Sequence, residues 1–353
     1  MARTAIFKDD LFLEHNSGRG HVESPDRLAA IYDRLTRADF NENVFYPAFE
    51  PASLELLALN HSASHIARIE ATAGQHFVQL DPDTQASAQS YDAASLAVGA
   101  AVSGTRMIMA GEADNGFVLV RPPGHHAEAD RTSGFCLFNN IAVAAHYAIK
   151  ELAVKRVLIV DWDLHHGNGT QNSFYDTDQV FYFSSHQFPY FPGTGSILEV
   201  GEGKGEGFTI NVPLPGGHDD MAYAAVFNEI LVPLARQYKP ELILVSAGFD
   251  IYQRDPLGTM AVSINGFAYL AKVLNNLALE LCAGRLLLVL EGGYNLEGLG
   301  DGVMACVAEM SGHGSVLDPE IGEKLAQAKG QNGSMEQAII NQVKKIAKNY
   351  WAI

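Results

Sequence analysis

Four apolar runs in this chain show no alternation with polar residues: "VLV" at 118–120, "VLIV" at 157–160, "LILV" at 242–245 and "LLLVL" at 286–290. A strand with one wet face alternates apolar and polar residues. A strand without alternation is covered on both faces, which is the signature of a parallel sheet sandwiched between helices. The segments between the runs supply the helices. "SYDAASLAVGAAVSGTRMIMAG", "NNIAVAAHYAIKEL", "MAYAAVFNEILVPLARQY" and "NGFAYLAKVLNNLALELCAG" read as helical, and "QVFYFSSH" and "FTINVPL" as further strands. The pattern predicts one doubly wound α/β domain. With 353 residues, 47 % of them hydrophobic, the chain can bury such a core. No repeat, low-complexity tract or Pro/Ser-rich linker divides it. Residues 1–312 are expected to form this domain. Residues 313–353 form a tail that begins as a loop, ends in a surface helix and packs on the same domain.

Each run then breaks into residues that can do chemistry: "RPPGHH", "DWDLHH", "SAGFD" and "EGGY". Ligands of open parallel sheets bind outside the carboxyl ends of the strands. Four such ends converging on one edge predict a site where any one alone would be a weak signal. In "DWDLHH", period-two alternation sends Asp161, Asp163 and His165 one way, and Trp162, Leu164 and His166 the other. Asp163 and His165 can therefore share an ion, with Asp250 as third ligand from another strand end. His166 is left with a structural role. Three protein ligands with an open position are how catalytic zinc sites are built. Iron(II) and cobalt also accept this mixed oxygen and nitrogen set.

The stretches "RPPGHHAEADRTSGFCLFNNIAVAA", "VLIVDWDLHHGNGTQNSFY", "FPGTG", "LVSAGFD" with "DPLG", and "LEGGYN" resemble the zinc-dependent histone deacetylase family. That family includes bacterial acetylpolyamine amidohydrolases and acetoin-utilisation-type proteins. The likeness runs from about residue 15 to about residue 310, and "LEGGYN" with the "NG" variant is closer to the class II branch. The resemblance implies an arginase/deacetylase-like fold with a mostly parallel sheet of about eight strands and helices on both faces. It implies one zinc per chain on Asp163, His165 and Asp250, and a structural potassium near Asp161 and Ser184. It makes His126 the general base and later the acid, His125 its electrostatic partner, and Tyr294 the donor to the substrate oxyanion. Gly292 and Gly293 let the backbone turn close to the site. Asp161 orients His125. Asn168, where class I members carry aspartate, faces His126. Phe135 and Phe191 wall a tunnel for an acyl-lysine stem, Leu257 sits on its rim, and Arg27 lies near an inner cavity.

The resemblance also frames the substrate. Polyamine-specific relatives can carry an acid in the segment after the third ligand, where this chain has Leu257. The expected substrate is therefore N-acyl-lysine or a similar acyl-amine, with an acetylpolyamine as the alternative. Glu128 and Asp130 are the acids expected nearest the mouth. A catalytically silent acyl-lysine binder would lack the tyrosine, and a binuclear manganese site of the arginase type would need more carboxylates than "DWDLHHGNG" offers. A net charge of −17 with no concentrated basic face argues against direct nucleic-acid binding. "GEGKGEG" lacks the spacing of a phosphate loop. Three widely spaced cysteines, no apolar leader and no run of about 18 apolar residues suggest a cytoplasmic protein without a membrane span. A homo-oligomer is compatible with all of this.

Overall fold

The computed structural model describes residues 2–331 and 333–353. Its strands are β1 (Thr4–Phe7), β2 (Val44–Phe45), β3 (Val78–Gln79), β4 (Gln85–Ala86), β5 (Asn115–Val118), β6 (Val157–Asp161), β7 (Val180–Gln187), β8 (Thr209–Leu214), β9 (Leu242–Ala247) and β10 (Leu286–Leu290). Eight of them form one sheet in the order β2-β1-β5-β10-β9-β6-β7-β8, and every neighbouring pair is parallel. The sheet is thus wholly parallel. β3 and β4 form a small antiparallel hairpin beside it.

Every residue of β5, β6, β9 and β10 is buried. Successive side chains point to opposite faces, so complete burial means both faces are covered, as the unbroken apolar runs require. The helices Ser90–Met109, Asn140–Glu151, Ile264–Cys282 and Leu296–Ser311 pack on these strands. The four strands whose ends carry the chemistry are β5, β10, β9 and β6. They are consecutive in the sheet and form its centre.

Local sequence sets how the chain leaves these strands. Only residues 291–295 join β10 to the helix Leu296–Ser311, whose N-cap Asn295 accepts the Gly298 N–H at 2.9 Å. The tight connection holds Tyr294 against the strand end. The expected helix over 221–238 is interrupted by a π-helical turn, Phe227–Leu231, just ahead of Pro233. Proline offers no N–H and its ring crowds the carbonyl four residues back, so the regular ladder cannot continue there.

β1 was not expected from the sequence, yet it lies beside β5, and the short β2 closes that edge. β8 forms the other edge. The helix Met335–Ala347 packs on β8 through Ile340, Val343 and Ala347, a helical stripe at three- and four-residue spacing. Trp351 follows, 5.4 Å from the Phe181 ring and 5.3 Å from Phe208, and donates to the Gly207 carbonyl at 2.7 Å. Among the described residues, no helix is long and apolar enough to cross a membrane. Cys136, Cys282 and Cys306 are buried and unpaired.

Candidate active site and metal centre

Asp163, His165 and Asp250 meet at the centre of the sheet edge, all buried, with a ligand atom of each within 4.8 Å of the others. His165 Nδ1 lies 3.2 Å from Asp163 Oδ1 and 3.2 Å from Asp250 Oδ2. Metal–ligand bonds of about 2.0 Å in a tetrahedron give edges of about 3.3 Å, so the spacing suits zinc. The two carboxylates are oriented by their other contacts. Asp163 accepts from the His165 N–H at 2.9 Å and the Gly292 N–H at 2.8 Å. Asp250 uses Oδ1 to accept from the Leu164 N–H at 2.9 Å, while its buried Oδ2, approached by His165 Nδ1 at 3.2 Å, receives no well-aligned hydrogen bond among the described residues. An unsatisfied buried carboxylate oxygen is costly unless something else, such as a cation, meets it.

The convergence has a different local cause from the one expected. β6 ends at Asp161, and residues 163–165 form a bend rather than a strand. Asp163 folds back onto the His165 N–H, an Asx-type turn, and this brings the two side chains together. Asp161 stays one step deeper. It lies 3.1 Å from His125 Nδ1 and 3.0 Å from the Tyr182 hydroxyl. His166 points away, between the Thr194 hydroxyl at 2.7 Å and the Gln171 carbonyl oxygen at 3.0 Å.

The close approach at this centre requires glycine. A Cβ at Gly292 would lie 2.1 Å from Asp250 Oδ2 and 2.7 Å from Asp163 Oδ2. Next to it, Gly293 takes φ of +121°, a conformation side chains disfavour.

The buried acids and histidines shift one another's titration strongly. Burial pushes the Asp250 carboxyl up, and Asp163 beside it adds to the effect, bringing it to about 7. Burial disfavours the His165 cation, but Asp163 and Asp250 outweigh this and raise it to about 9. His125 behaves alike: burial opposes its charge, yet Asp163, Asp161 and Glu291 bring it to about 10. His126 goes the other way, held well below the ordinary range by burial and then by His125 and His165. The two adjacent histidines, with ring centres only 4.0 Å apart, are thus pushed in opposite directions.

A cavity of about 300 Å³ opens over the cluster. Its lining includes His125, His126, His165, Phe135, Phe191, Leu257 and Tyr294. Phe191 is 41 % exposed and sits edge-on to His126 at 5.1 Å, while Phe135 sits edge-on to Tyr294 at 6.1 Å. The Arg27 guanidinium lies over the Tyr294 ring, 4.9 Å from its centre. Arg27 is wholly buried and donates to the carbonyls of Gly293 and Glu291. Ser184 is buried on β7, in register with Asp161 on β6. Asn168 Oδ1 lies 2.8 Å from His126 Nδ1.

Other residues were not legible as site members. Asp83, from the β3–β4 hairpin, and Tyr190 also line the cavity. Tyr190 stacks on His165 at 5.7 Å and donates to the Leu257 carbonyl at 2.6 Å. Glu291 accepts from the Gly124 and His125 N–H groups at 2.7 and 3.1 Å, fixing the histidine loop. Asp255 accepts from the N–H groups of Tyr294, Asn295 and Leu257. The two acids expected nearest the mouth are not among the lining residues. Glu128 turns instead to the Asn168 amide at 2.7 Å, because that buried donor needs an acceptor.

A model of the histone deacetylase domain matches residues 21–310 of the chain. The chain is 41 % identical over 306 residues to histone deacetylase 10, chloroplastic, of Oryza sativa subsp. japonica, spanning 82 % of this chain and 69 % of that protein. It is 36 % identical over 355 residues to a probable deacetylase of Archaeoglobus fulgidus, spanning 99 % and 98 %. Against histone deacetylase 18 of Arabidopsis thaliana the identity is 40 % over 324 residues, 86 % of this chain but only 47 % of that protein. The crystal structure of the HDA15 HD domain superposes with a TM-score of 0.89 at 35 % identity, covering 99 % of this chain and 95 % of that one. With its wholly parallel eight-stranded sheet, the chain belongs to the histone deacetylase family of deacetylating hydrolases.

Proposed function

We propose that this chain is a zinc-dependent amidohydrolase that removes the acyl group from N-acetyl-lysine or a similar acyl-amine. The observation that carries the reading is the Asp163–His165–Asp250 cluster, buried and with 3.2 Å spacings, at the base of a cavity walled by aromatic rings. A zinc ion held by these three side chains supplies Lewis acidity toward the substrate carbonyl and lowers the pKa of the attacking water.

The rest of the chemistry falls to the chain's own residues. His126, kept neutral, takes the proton of the attacking water and later returns it to the leaving amine. His125, held by Asp161 at 3.1 Å, is its electrostatic partner beside the reacting atoms. The Tyr294 hydroxyl donates to the carbonyl oxygen as it gains charge, a contact that strengthens toward the transition state. Phe135 and Phe191 exclude water around a methylene stem.

Potassium belongs to the same reading. His186 Nε2 donates to the Gly195 carbonyl, so its Nδ1 accepts from the Ser184 hydroxyl at 2.9 Å. The lone pairs of Ser184 are left for a monovalent cation beside Asp161.

One observation favours the acetylpolyamine alternative. Asp83 puts a carboxylate on the cavity wall, where it could meet a second ammonium group. The deciding experiment compares kcat/KM of the zinc-loaded protein on acetyl-lysine peptides, longer acyl-lysine peptides and acetylpolyamines. Highest values on an acyl-lysine peptide support the main reading, and highest values on an acetylpolyamine replace it with the alternative. No turnover of any of them by protein carrying one zinc per chain removes the enzymatic reading altogether.

A further inference from the structure

We infer that Glu128, paired with Arg131, is a positioning residue that selects the working tautomer of His126 by fixing which end of the Asn168 amide faces it. The inference rests on the proposed role of His126 as general base.

An amide differs from a carboxylate in having two unlike ends. If Asn168 Oδ1 faces His126, Nδ1 of the ring must carry hydrogen, and Nε2 keeps its lone pair to accept a proton. If the amide is reversed, its N–H₂ faces the ring, hydrogen moves to Nε2, and the base is disabled. Nothing in His126 itself decides between these two states.

The decision comes from the far side of the amide. Asn168 Nδ2 donates to Glu128 Oε1 at 2.7 Å, and a carboxylate can only accept. Reversal would bring two oxygens together at that distance. Arg131 donates to the same Oε1 at 2.6 Å, which keeps the carboxylate in place. Glu128 is shielded, with its side chain 15 % exposed, whereas Arg131 is 62 % exposed. The backbone of Glu128 is pinned as well, its N–H to the Arg131 carbonyl at 3.0 Å and its carbonyl by His61 Nδ1 at 2.9 Å. The relay therefore runs from a surface guanidinium through Glu128 and Asn168 to the buried ring. Losing a hydrogen bond to a charged group shifts the amide equilibrium enough to lower kcat about ten- to hundredfold.

Glu128→Lys puts a donor where the acceptor stood and should reverse the amide. Expected is that fall in kcat with KM little changed, while zinc stays at one per chain. Combining it with Asn168→Asp should restore kcat, because a carboxylate at 168 has no donor end and pairs with the introduced lysine. Ring ¹⁵N shifts of His126 give a readout without turnover: hydrogen on Nδ1 in the wild type and on Nε2 in Glu128→Lys, in metal-free protein too. Should Glu128→Lys not fold, Glu128→Ala replaces it, with a mixed tautomer and a smaller fall in kcat expected. Wild-type kcat and an Nδ1-protonated ring in Glu128→Lys would overturn the inference, as would a double variant no better than the single one. If the wild type turned over no acyl-amine, the proposed function would fall, while the ¹⁵N result would still judge the tautomer assignment.

Discussion

Two buried charge clusters share the backbone of residues 291–293 and differ in one respect. In the first, Glu23 lies among Arg27, Arg121 and His15, with Ser17 donating to it. Burial works against its charge, but Arg121 chiefly reverses that and holds Glu23 well below the usual carboxylate range. This cluster is complete, since its cations are part of the chain. The second gathers Asp161, Asp163, Asp250 and Glu291 around His125 and His165. It contains no arginine or lysine, and burial leads in raising Asp161, Asp250 and Glu291. Both clusters are equally buried, so burial alone does not mark function. What separates them is the kind and number of cations the chain supplies: two guanidiniums and a histidine around one acid in the first, only two imidazoles among four acids in the second.

The sharpest way to break that contrast is to delete one acid from each cluster. Asp250→Asn should abolish activity and drop zinc content far below one per chain by metal analysis, yet raise the melting temperature of the metal-free protein, because it removes one of four buried carboxylates that two histidines only partly offset. Two ions per chain in the wild type would instead point to a binuclear site. Glu23→Ala should do the reverse, keeping one zinc per chain but costing about 3–5 kcal/mol of stability in denaturant titration, because two arginines lose their partner. Equal stability effects of the two variants would remove the distinction. Tyr294→Phe should leave zinc and stability unchanged and lower kcat by about 10²–10³.

The smallest expected effect is on the pH dependence of the metal-free protein. His165 and His125 are raised to about 9 and about 10, so over pH 6.5–9 the folded state binds more protons than the unfolded one. Stability contributed by these groups is complete below pH 6.5 and is lost as pH rises. Glu23, being depressed, has the opposite sign: its contribution holds above about pH 4.5 and is lost only in acid. Thermal melts of metal-free protein at pH 6.5 and 9 check the first, and zinc loading should flatten the slope, since His165 must shed its proton to bind the ion.

The legible parts of this site are those written in short range. The strand ends from β5, β6, β9 and β10 each carry their residues within a few positions of an apolar run, so Asp163, His165, Asp250 and Tyr294 could be named from the chain. Illegible parts act across long separations. Glu291 reaches the Gly124 and His125 amides 167 and 166 residues away, and Asp255 holds Tyr294 across 39. Glu128 could be placed near the site but not aimed, because its partner Asn168 lies 40 residues on. β1 escaped for another reason: four residues, "TAIF", carry too little periodicity to separate strand from helix.

The tail on β8 has a consequence for the molecule among its neighbours. A wholly parallel sheet must stop somewhere, and each outer strand offers a row of backbone groups to any passing chain. One border is kept to the two residues of β2. The other is six residues long, and the helix Met335–Ala347 with Trp351 packs against it. Packing of residues 335–351 against this strand leaves less room there for a second chain to pair, a matter of crowding rather than of catalysis.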